Sequence, residues 1–264
     1  MILYFSGTGN SLFIARSLAQ MLGDSLCHIN NTPADLTQEK VVGLVYPVYT
    51  YDAPAVVKTF ADTLVLNKDA YVFVIATCGS TPGNAILSVK QRMEKNGASV
   101  AYSRIVSMPD CSAPAMNNNP NDQLKKLEAV PALLKQIAED IHARKHDLQH
   151  AKCTAMGTIM NTRAMQPIGI AAVRQYVNED KCVGCGICTK VCPQENIVLA
   201  CRDASNASLA SNASATAQIG DRCTQCLACV HFCPQQAMEI RHKTIPKEWQ
   251  YHHPEVKLKD MLLR

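Results

Sequence analysis

Eight of the thirteen cysteines stand in two short runs of identical spacing. Each run has the form C-x2-C-x2-C-x3-C-P, and the second begins 41 residues after the first. The first run consists of Cys182, Cys185, Cys188, Cys192 and Pro193, and the second of Cys223, Cys226, Cys229, Cys233 and Pro234. Thiolates at this spacing are typical ligands of iron–sulfur clusters. The spacing therefore predicts two [4Fe–4S] clusters.

The alternative for these cysteines is a pair of zinc sites. Zinc sites usually group cysteines as C-x2-C pairs separated by a longer stretch. Four cysteines within eleven residues, duplicated and each time followed by proline, favour clusters instead. The opening sequence MILYFSGTGN has no secretory signal, so we expect a cytoplasmic location, where thiols stay reduced and disulfides are a poor explanation.

The two runs resemble those of a bacterial-type two-cluster ferredoxin, and the resemblance covers residues 178–241. In such ferredoxins the fourth cysteine of each run ligates the other cluster. The resemblance therefore implies one cluster on Cys182, Cys185, Cys188 and Cys233, and a second on Cys223, Cys226, Cys229 and Cys192. The two runs lie unusually far apart, and the Ala/Ser/Asn-rich segment 201–218 between them is expected to be a surface loop or partly disordered.

The remaining cysteines are scattered and receive no chemical role. They are Cys27, Cys78, Cys111, Cys153 and Cys201, and we interpret them as small buried side chains or free thiols. The histidines are interpreted as solvent-facing or structural. For His231, which lies inside the second run, the alternative is a hydrogen bond that tunes the neighbouring cluster.

A second motif, SGTGNS at 6–11, lies near the start of the chain. It follows a predicted strand and opens a predicted helix. Hydroxyl groups, an amide side chain and backbone N–H groups at a helix N-terminus suit a phosphate monoester. The motif lacks the lysine of a Walker loop and the third glycine of the dinucleotide fingerprint. It therefore predicts a phosphate site of another kind.

Apolar periodicity defines the elements that must position these motifs. Short β-branched runs alternate with amphipathic stretches, which indicates βαβ units and a parallel sheet. The predicted strands are 2–5, 26–29, 41–46, 71–76 and 99–106. The predicted helices are 11–22, 53–64 and 84–97, with a last one inside 122–147 that kinks or restarts at Pro131.

The stretch ILYFSGTGNS resembles the phosphate loop of flavodoxins, and two later loops extend the resemblance. YPVYTYDAP (46–54) and TCGSTPGN (77–84) follow the third and fourth strands. In the flavodoxin strand order 2-1-3-4-5, these strand ends flank the FMN crevice. The resemblance implies a five-stranded doubly wound α/β sheet, with Tyr49 or Tyr51 stacked on the flavin ring. The FMN contacts that it implies are Ser6, Thr8, Gly9, Asn10, Ser11, Pro47, Val48, Tyr49, Thr50, Thr77, Cys78 and Gly79.

Taken as a whole, the chain is similar to the flavodoxin–ferredoxin fusion proteins of the EFR1 family. This similarity predicts a flavodoxin-like FMN domain at 1–147 and a connector at 148–177. A small α+β two-cluster ferredoxin domain at 178–241 and a C-terminal tail at 242–264 complete the chain. The family implies electron transfer in anaerobic metabolism, with a redox protein as donor or acceptor.

Composition limits the other classes of partner. The net charge is only +4 and no five like charges follow one another, so we expect no nucleic-acid partner. The longest apolar runs have the length of strands, so we expect no membrane span. Neither the oligomeric state nor the direction of electron flow can be derived from the sequence.

Three functions are compatible with these motifs. The favoured one is electron transfer between FMN and two [4Fe–4S] clusters, which converts between one-electron and two-electron carriers. The second is an FMN-dependent reductase of a small molecule, with the connector as a lid. The third is a redox or iron sensor. The flavin loops contain no His, Glu or Lys for acid–base chemistry, and no output domain is recognisable, which favours the first function.

Overall fold

The computed structural model describes residues 1–33, 35–201 and 215–262. The strands of its N-terminal part are β1 (Ile2–Tyr4), β2 (Leu26–His28), β3 (Asp35–Leu36), β4 (Val41–Pro47), β5 (Val65–Leu66), β6 (Tyr71–Cys78) and β7 (Val100–Ser107). Five of them form one parallel sheet in the order β2-β1-β4-β6-β7. Counted along the chain, this order is 2-1-3-4-5, which confirms the predicted doubly wound sheet. The short strands β3 and β5 pair with each other beside it.

Helices cover both faces of the sheet. They are α1 (Asn10–Leu22), α2 (Ala55–Thr63), α3 (Ala85–Lys95) and α4 (Val130–His142). Helices α1 and α4 pack in one apolar core, and α2 and α3 pack in the other. Every residue of β6 is buried, as expected for a central strand covered on both sides. Pro131 lies in the first turn of α4, after a 3-10 segment at Pro120–Ala129, so the helix restarts there as predicted.

The segment after α4 contains α5 (Ala155–Met160) and α6 (Gln166–Ala172), followed by strand β8 (Gln175–Val177). Both helices lie within the expected connector. Strand β8 also lies in that range, but it pairs antiparallel with a strand near residue 240 and so belongs with the cysteine-containing part. The segment from 148 to 177 thus contains two short helices and a strand, although most of its residues are exposed.

The cysteine-containing part is a small α+β unit. Its elements are α7 (Ile187–Val191), β9 (Ile197–Cys201), β10 (Ala215–Ile219), α8 (Ala228–His231) and β11 (Met238–Ile240). β8 pairs with β11, and β9 pairs with β10, both antiparallel. Most of the segment expected to be a loop, 202–214, lies outside the described residues. Its two ends form the β9–β10 ladder instead, because paired backbone groups satisfy each other there.

The C-terminal tail crosses back over the start of α1 and ends in α9 (Leu258–Leu262). The backbone N–H of His253 donates to the carbonyl of Thr8 at 2.9 Å. The guanidinium of Arg16 donates to the carbonyl of Glu255 at 2.7 Å. Within the described part of the chain, no helix combines the length and apolar character needed to cross a membrane.

Candidate functional site

The eight cysteines of the two runs form two groups in space. Each group contains three cysteines of one run and the last cysteine of the other. Cys182, Cys185, Cys188 and Cys233 line one cavity and form the first cysteine set. Cys192, Cys223, Cys226 and Cys229 line another and form the second cysteine set. The last cysteine of each run has crossed to the other set. Within the described ranges, no three His, Cys, Asp or Glu side chains converge on one point as the ligands of a single metal ion would.

Local structure explains how three cysteines of each run reach one cavity. Each run ends in a short helix, α7 or α8, whose preceding residue has a left-handed backbone, with φ of 72° at Gly186 and 59° at Leu227. This reversal curls the loop around the cavity before the helix begins. Gly186 suits the conformation, whereas Leu227 adopts it at a cost in free energy.

Burial and mutual repulsion disfavour isolated thiolates in both sets. Burial raises the pKa of Cys188 to about 11, and it also raises the pKa of Cys229. The neighbouring thiols that raise the pKa of Cys188 further are Cys182, Cys233 and Cys185. The thiols that add to the Cys229 shift are Cys226, Cys223, Cys192 and Cys188. Four clustered thiols, two of them buried in each set, need a compensating positive charge to ionise together, and this fits an iron–sulfur core.

The phosphate loop is held by its own hydrogen bonds. Gly9 precedes α1 with a φ of 96°, a conformation that glycine adopts readily. Its N–H donates to Ser6 Oγ at 3.1 Å. Ser11 Oγ and Thr77 Oγ1 lie 2.8 Å apart and tie the loop to the end of β6. The N–H groups in the first turn of α1 have no partner within the helix, so the loop fits a phosphate group.

The structure brings together the three loops that the flavodoxin resemblance selected. Most of the predicted FMN residues line one cavity, here the phosphate-loop cavity: Ser6, Thr8, Asn10, Ser11, Pro47, Val48, Tyr49, Thr77, Cys78 and Gly79. Gly9 shapes the loop without lining the cavity. Thr50 lines an adjoining cavity of about 350 Å³, here the larger cavity, which also contains Val48, Tyr49, Cys78 and Gly79. The two cavities together can take a phosphate at one end and a planar ring at the other.

The loop beside the expected flavin ring has an unusual backbone. Thr50 and Tyr51 have positive φ values of 49° and 64°. Tyr49 and Asp52 exchange two backbone hydrogen bonds around them, at 2.8 and 3.0 Å. Such two-residue turns normally contain Asn-Gly or Gly-rich pairs. A β-branched threonine in this conformation is strained, and strain of this kind concentrates at functional sites.

Residues of the expected connector cover this strained turn. Asn161 Nδ2 donates to the carbonyl of Tyr51 at 3.2 Å. A Cβ placed on Gly169 would lie 2.2 Å from Thr50 Cγ2, so the close approach requires glycine. Met160, Ala172 and Val173 line the larger cavity on the same side. The connector thus forms one wall of the cavity.

The second cysteine set lies directly against the phosphate loop. A Cβ on Gly7 would lie 2.5 Å from the carbonyl oxygen of Cys226 and 2.7 Å from the Tyr49 hydroxyl. Leu227 lines both the cavity of the second cysteine set and the larger cavity. It is 1% exposed, so a buried side chain lies at the border of both spaces.

Several residues lie at the site although no motif in the sequence predicts their place there. Lys126 Nζ donates to the carbonyl of Gly79 and to Gln123 Oε1, both at 2.6 Å. It places a positive charge behind the loop that follows β6. Asp110 and Cys111, after β7, line both the phosphate-loop cavity and the larger cavity. These positions depend on how distant loops pack.

His231 bridges two parts of the chain. Its Nε2 donates to the carbonyl of Cys111 at 2.8 Å, and its Nδ1 accepts the N–H of Tyr251 at 2.9 Å. These bonds specify the neutral ring, and burial lowers the pKa of His231 to about 4. The histidine thus has the structural role expected for it.

Comparison with known proteins found a family match and several similar solved structures. Residues 181–238 match a family model described as a 4Fe–4S dicluster domain. Among solved structures, the two-electron reduced flavodoxin of Megasphaera elsdenii is 24% identical, with 41% of this chain and 87% of that chain covered and a TM-score of 0.34. A flavodoxin from the domain Archaea is 17% identical, with 53% and 96% covered and a TM-score of 0.38. No protein of curated function matches the chain. The fold assignment rests on the sheet order itself.

Proposed function

We propose that this protein transfers electrons between an FMN, bound by the loops after β1, β4 and β6, and two [4Fe–4S] clusters. The clusters carry one electron at a time, whereas a flavin accepts one or two, so the pair converts between the two kinds of carrier. A separate redox protein is expected to supply or accept the single electrons. This function agrees with the resemblance to flavodoxin–ferredoxin fusion proteins.

One observation carries the proposal. The backbone of Cys226 packs against Gly7, and Leu227 borders both the second cysteine set and the larger cavity. A cluster on the second set would therefore be the neighbour of the flavin. The first cysteine set does not share a lining residue with the larger cavity. Its Cys185 and Val183 are exposed, with Val183 at 62%, so this set is the expected entry point for a protein partner.

The chain supplies binding and shielding rather than acid–base chemistry. Hydroxyl groups and backbone N–H groups of the phosphate loop hold the phosphate. Lys126 adds a positive charge near Gly79, which favours the reduced, negatively charged form of a flavin there. The connector helices α5 and α6 help to exclude water from the ring.

A second function, reduction of a small molecule at the flavin, is favoured by the size of the larger cavity. At about 350 Å³ it lies within the range of ligand pockets. Its lining includes Met116, Met160 and Val173, which do not belong to the loops expected to hold FMN and could contact a substrate. Reduction of a small molecule is therefore the second candidate function, after electron transfer.

Cofactor analysis of anaerobically purified protein tests the proposal. We expect about eight iron, about eight acid-labile sulfide and one FMN per chain. After rapid mixing with a one-electron reductant, the clusters and the flavin should be reduced within the same turnover. Eight iron without flavin, even after FMN is added, would show that the N-terminal part serves another purpose.

A further inference from the structure

Another cavity adjoins the larger cavity on the side of the C-terminal tail. This basic cavity, of about 220 Å³, is bordered by Asn117, Arg241, Lys243 and Trp249. It shares Ala115 and Arg241 with the larger cavity, so the two spaces meet at Arg241.

The junction carries excess positive charge. Arg241 and Lys243 are exposed, and neither side chain forms a hydrogen bond or ion pair with another residue of the described part of the chain. The acidic residue among those that line the two cavities is Asp110. Its Oδ1 already accepts from the N–H and Oγ of Ser112, at 2.8 and 2.7 Å. Glu239 lies beside the basic cavity, and its Oε1 accepts from the Oγ1 of Thr244, which lines that cavity, at 2.6 Å and from Asn178 Nδ2 at 2.9 Å. An anion entering here would therefore meet two cations that are paired with neither carboxylate.

The backbone holds Arg241 at this junction in a strained turn. Arg241 and His242 have positive φ values of 52° and 58°. Ile240 and Lys243 close the turn with two backbone hydrogen bonds, at 3.0 and 3.1 Å. Asn-Gly is the usual pair in such a turn, because a Cβ at positive φ lies too close to the backbone carbonyl oxygen.

The two residues of the turn differ in their surroundings. The ring of His242 packs on Tyr176, with 3.5 Å between ring centroids, so packing accounts for its presence. Within the described residues Arg241 stacks on no aromatic ring, and it borders both cavities. Backbone strain of this kind concentrates at functional sites. Because Arg241 is exposed and borders two cavities, the strain at this position indicates a ligand.

We propose that Arg241 and Lys243 bind the anionic group of a small organic molecule whose apolar body extends into the larger cavity. Met160, Ala172 and Val173 provide the apolar wall for that body, and Trp249 provides a planar surface near the anion. The ligand class is an organic carboxylate or phosphate with an unsaturated or aromatic body. The idea that this body lies against FMN rests on the proposed function, whereas the anion site itself does not.

Calorimetric titration of the anaerobic holoprotein tests the site with benzoate as the probe. Benzamide has nearly the same shape without the charge, and phenyl phosphate distinguishes a phosphate site from a carboxylate site. We expect benzoate or phenyl phosphate to bind at least ten-fold more tightly than benzamide. Arg241→Gln should weaken anion binding at least ten-fold, and Arg241→Lys should weaken it less.

Arg163→Gln is the matched control, because Arg163 is exposed and borders neither cavity. Equal binding of benzoate and benzamide, or an unchanged affinity in Arg241→Gln, would overturn the proposal. If Arg241→Gln does not retain its cofactors, Lys243→Gln replaces it with the same expected direction. Arg241-dependent anion binding by protein that takes up no FMN would support the site and refute the proposed function. FMN-loaded protein that does not bind these anions would refute the anion site and leave the proposed function standing.

Discussion

The hydroxyl group of Tyr251 donates a hydrogen bond of 2.6 Å to the side-chain oxygen of Asn10, which lies 241 residues earlier in the chain. Both residues are buried. Asn10 Nδ2 in turn donates to the carbonyl of Pro109 at 3.1 Å. One amide thus joins the phosphate loop, the loop after β7 and the C-terminal tail. The tail is therefore part of the structure that positions the candidate FMN site.

Replacing Tyr251 by phenylalanine should destabilise this junction. The change leaves the buried oxygen of Asn10 without its donor, which costs about 1–3 kcal/mol. We expect a lower urea midpoint and weaker FMN retention, measured by flavin release from the holoprotein. Tyr176→Phe is the control, since the Tyr176 hydroxyl has no hydrogen bond within the described residues. Equal effects of the two variants would contradict the assigned role.

Gly7→Ala tests the contact between the phosphate loop and the second cysteine set. The new Cβ would lie 2.5 Å from the Cys226 carbonyl, so the two parts must separate. We expect loss of FMN together with altered electron paramagnetic resonance of one cluster. Gly23→Ala is the comparison, because Gly23 has a φ of 64° but open space around it, and only backbone strain of about 1 kcal/mol is expected. An intact cluster spectrum in Gly7→Ala would argue against the contact.

Cys192→Ser tests the crossing of ligands between the runs. Cys192 belongs to the first run in sequence but lines the cavity of the second set. We expect the iron content to fall from about eight to about four, with loss of the cluster next to the flavin. Electron transfer to FMN should slow at least ten-fold, while the other cluster keeps its spectrum. Cys153→Ser, at an exposed cysteine outside both sets, should change neither quantity.

The buried ring of His253 predicts a pH dependence of stability. Burial, with smaller contributions from Arg16 and His252, lowers the pKa of His253 to about 4 from a usual 6.5. The unfolded chain therefore binds more protons between pH 4 and 6.5, and stability rises with pH in that window. The contribution of the neutral His253 ring to the free energy of unfolding is fully present above pH 6.5. It is lost as the pH falls toward 4, where the folded protein also takes up the proton. The loss of unfolding free energy across this pH window is at most about 3 kcal/mol.

Urea unfolding at pH 7.5 and 5.0 measures this effect as a difference between proteins. His253→Gln should lose less stability on acidification than the native chain. The exposed His142→Gln variant should behave like the native chain, which controls for the acid sensitivity of bound cofactors. If both variants match the native chain, His253 does not carry the dependence.

Much of the architecture could be predicted from consecutive residues. The five main strands, the helices α1 to α4 and the restart at Pro131 follow from apolar periodicity and proline chemistry. The shortest strands were missed: β3 and β5 have two residues each, too few for a periodic pattern. Strand β10 lies mostly within the segment predicted to be a loop from its low-complexity composition, and its two alanines have low strand propensity. Pairing with β9 outweighs that preference.

The kinds of chemical groups and their local spacing can be read from consecutive residues: the two cysteine runs, the glycine- and hydroxyl-rich turn before α1, and the sheet that places three loops at one edge. These features depend on near neighbours, whose geometry the chain constrains directly. The folded structure was needed to show that Cys226 packs against Gly7, that Lys126 and Tyr251 join the site, and that Arg241 lies between two cavities. Such contacts join residues far apart in the chain, and they arise from the packing of whole surfaces rather than from local preference.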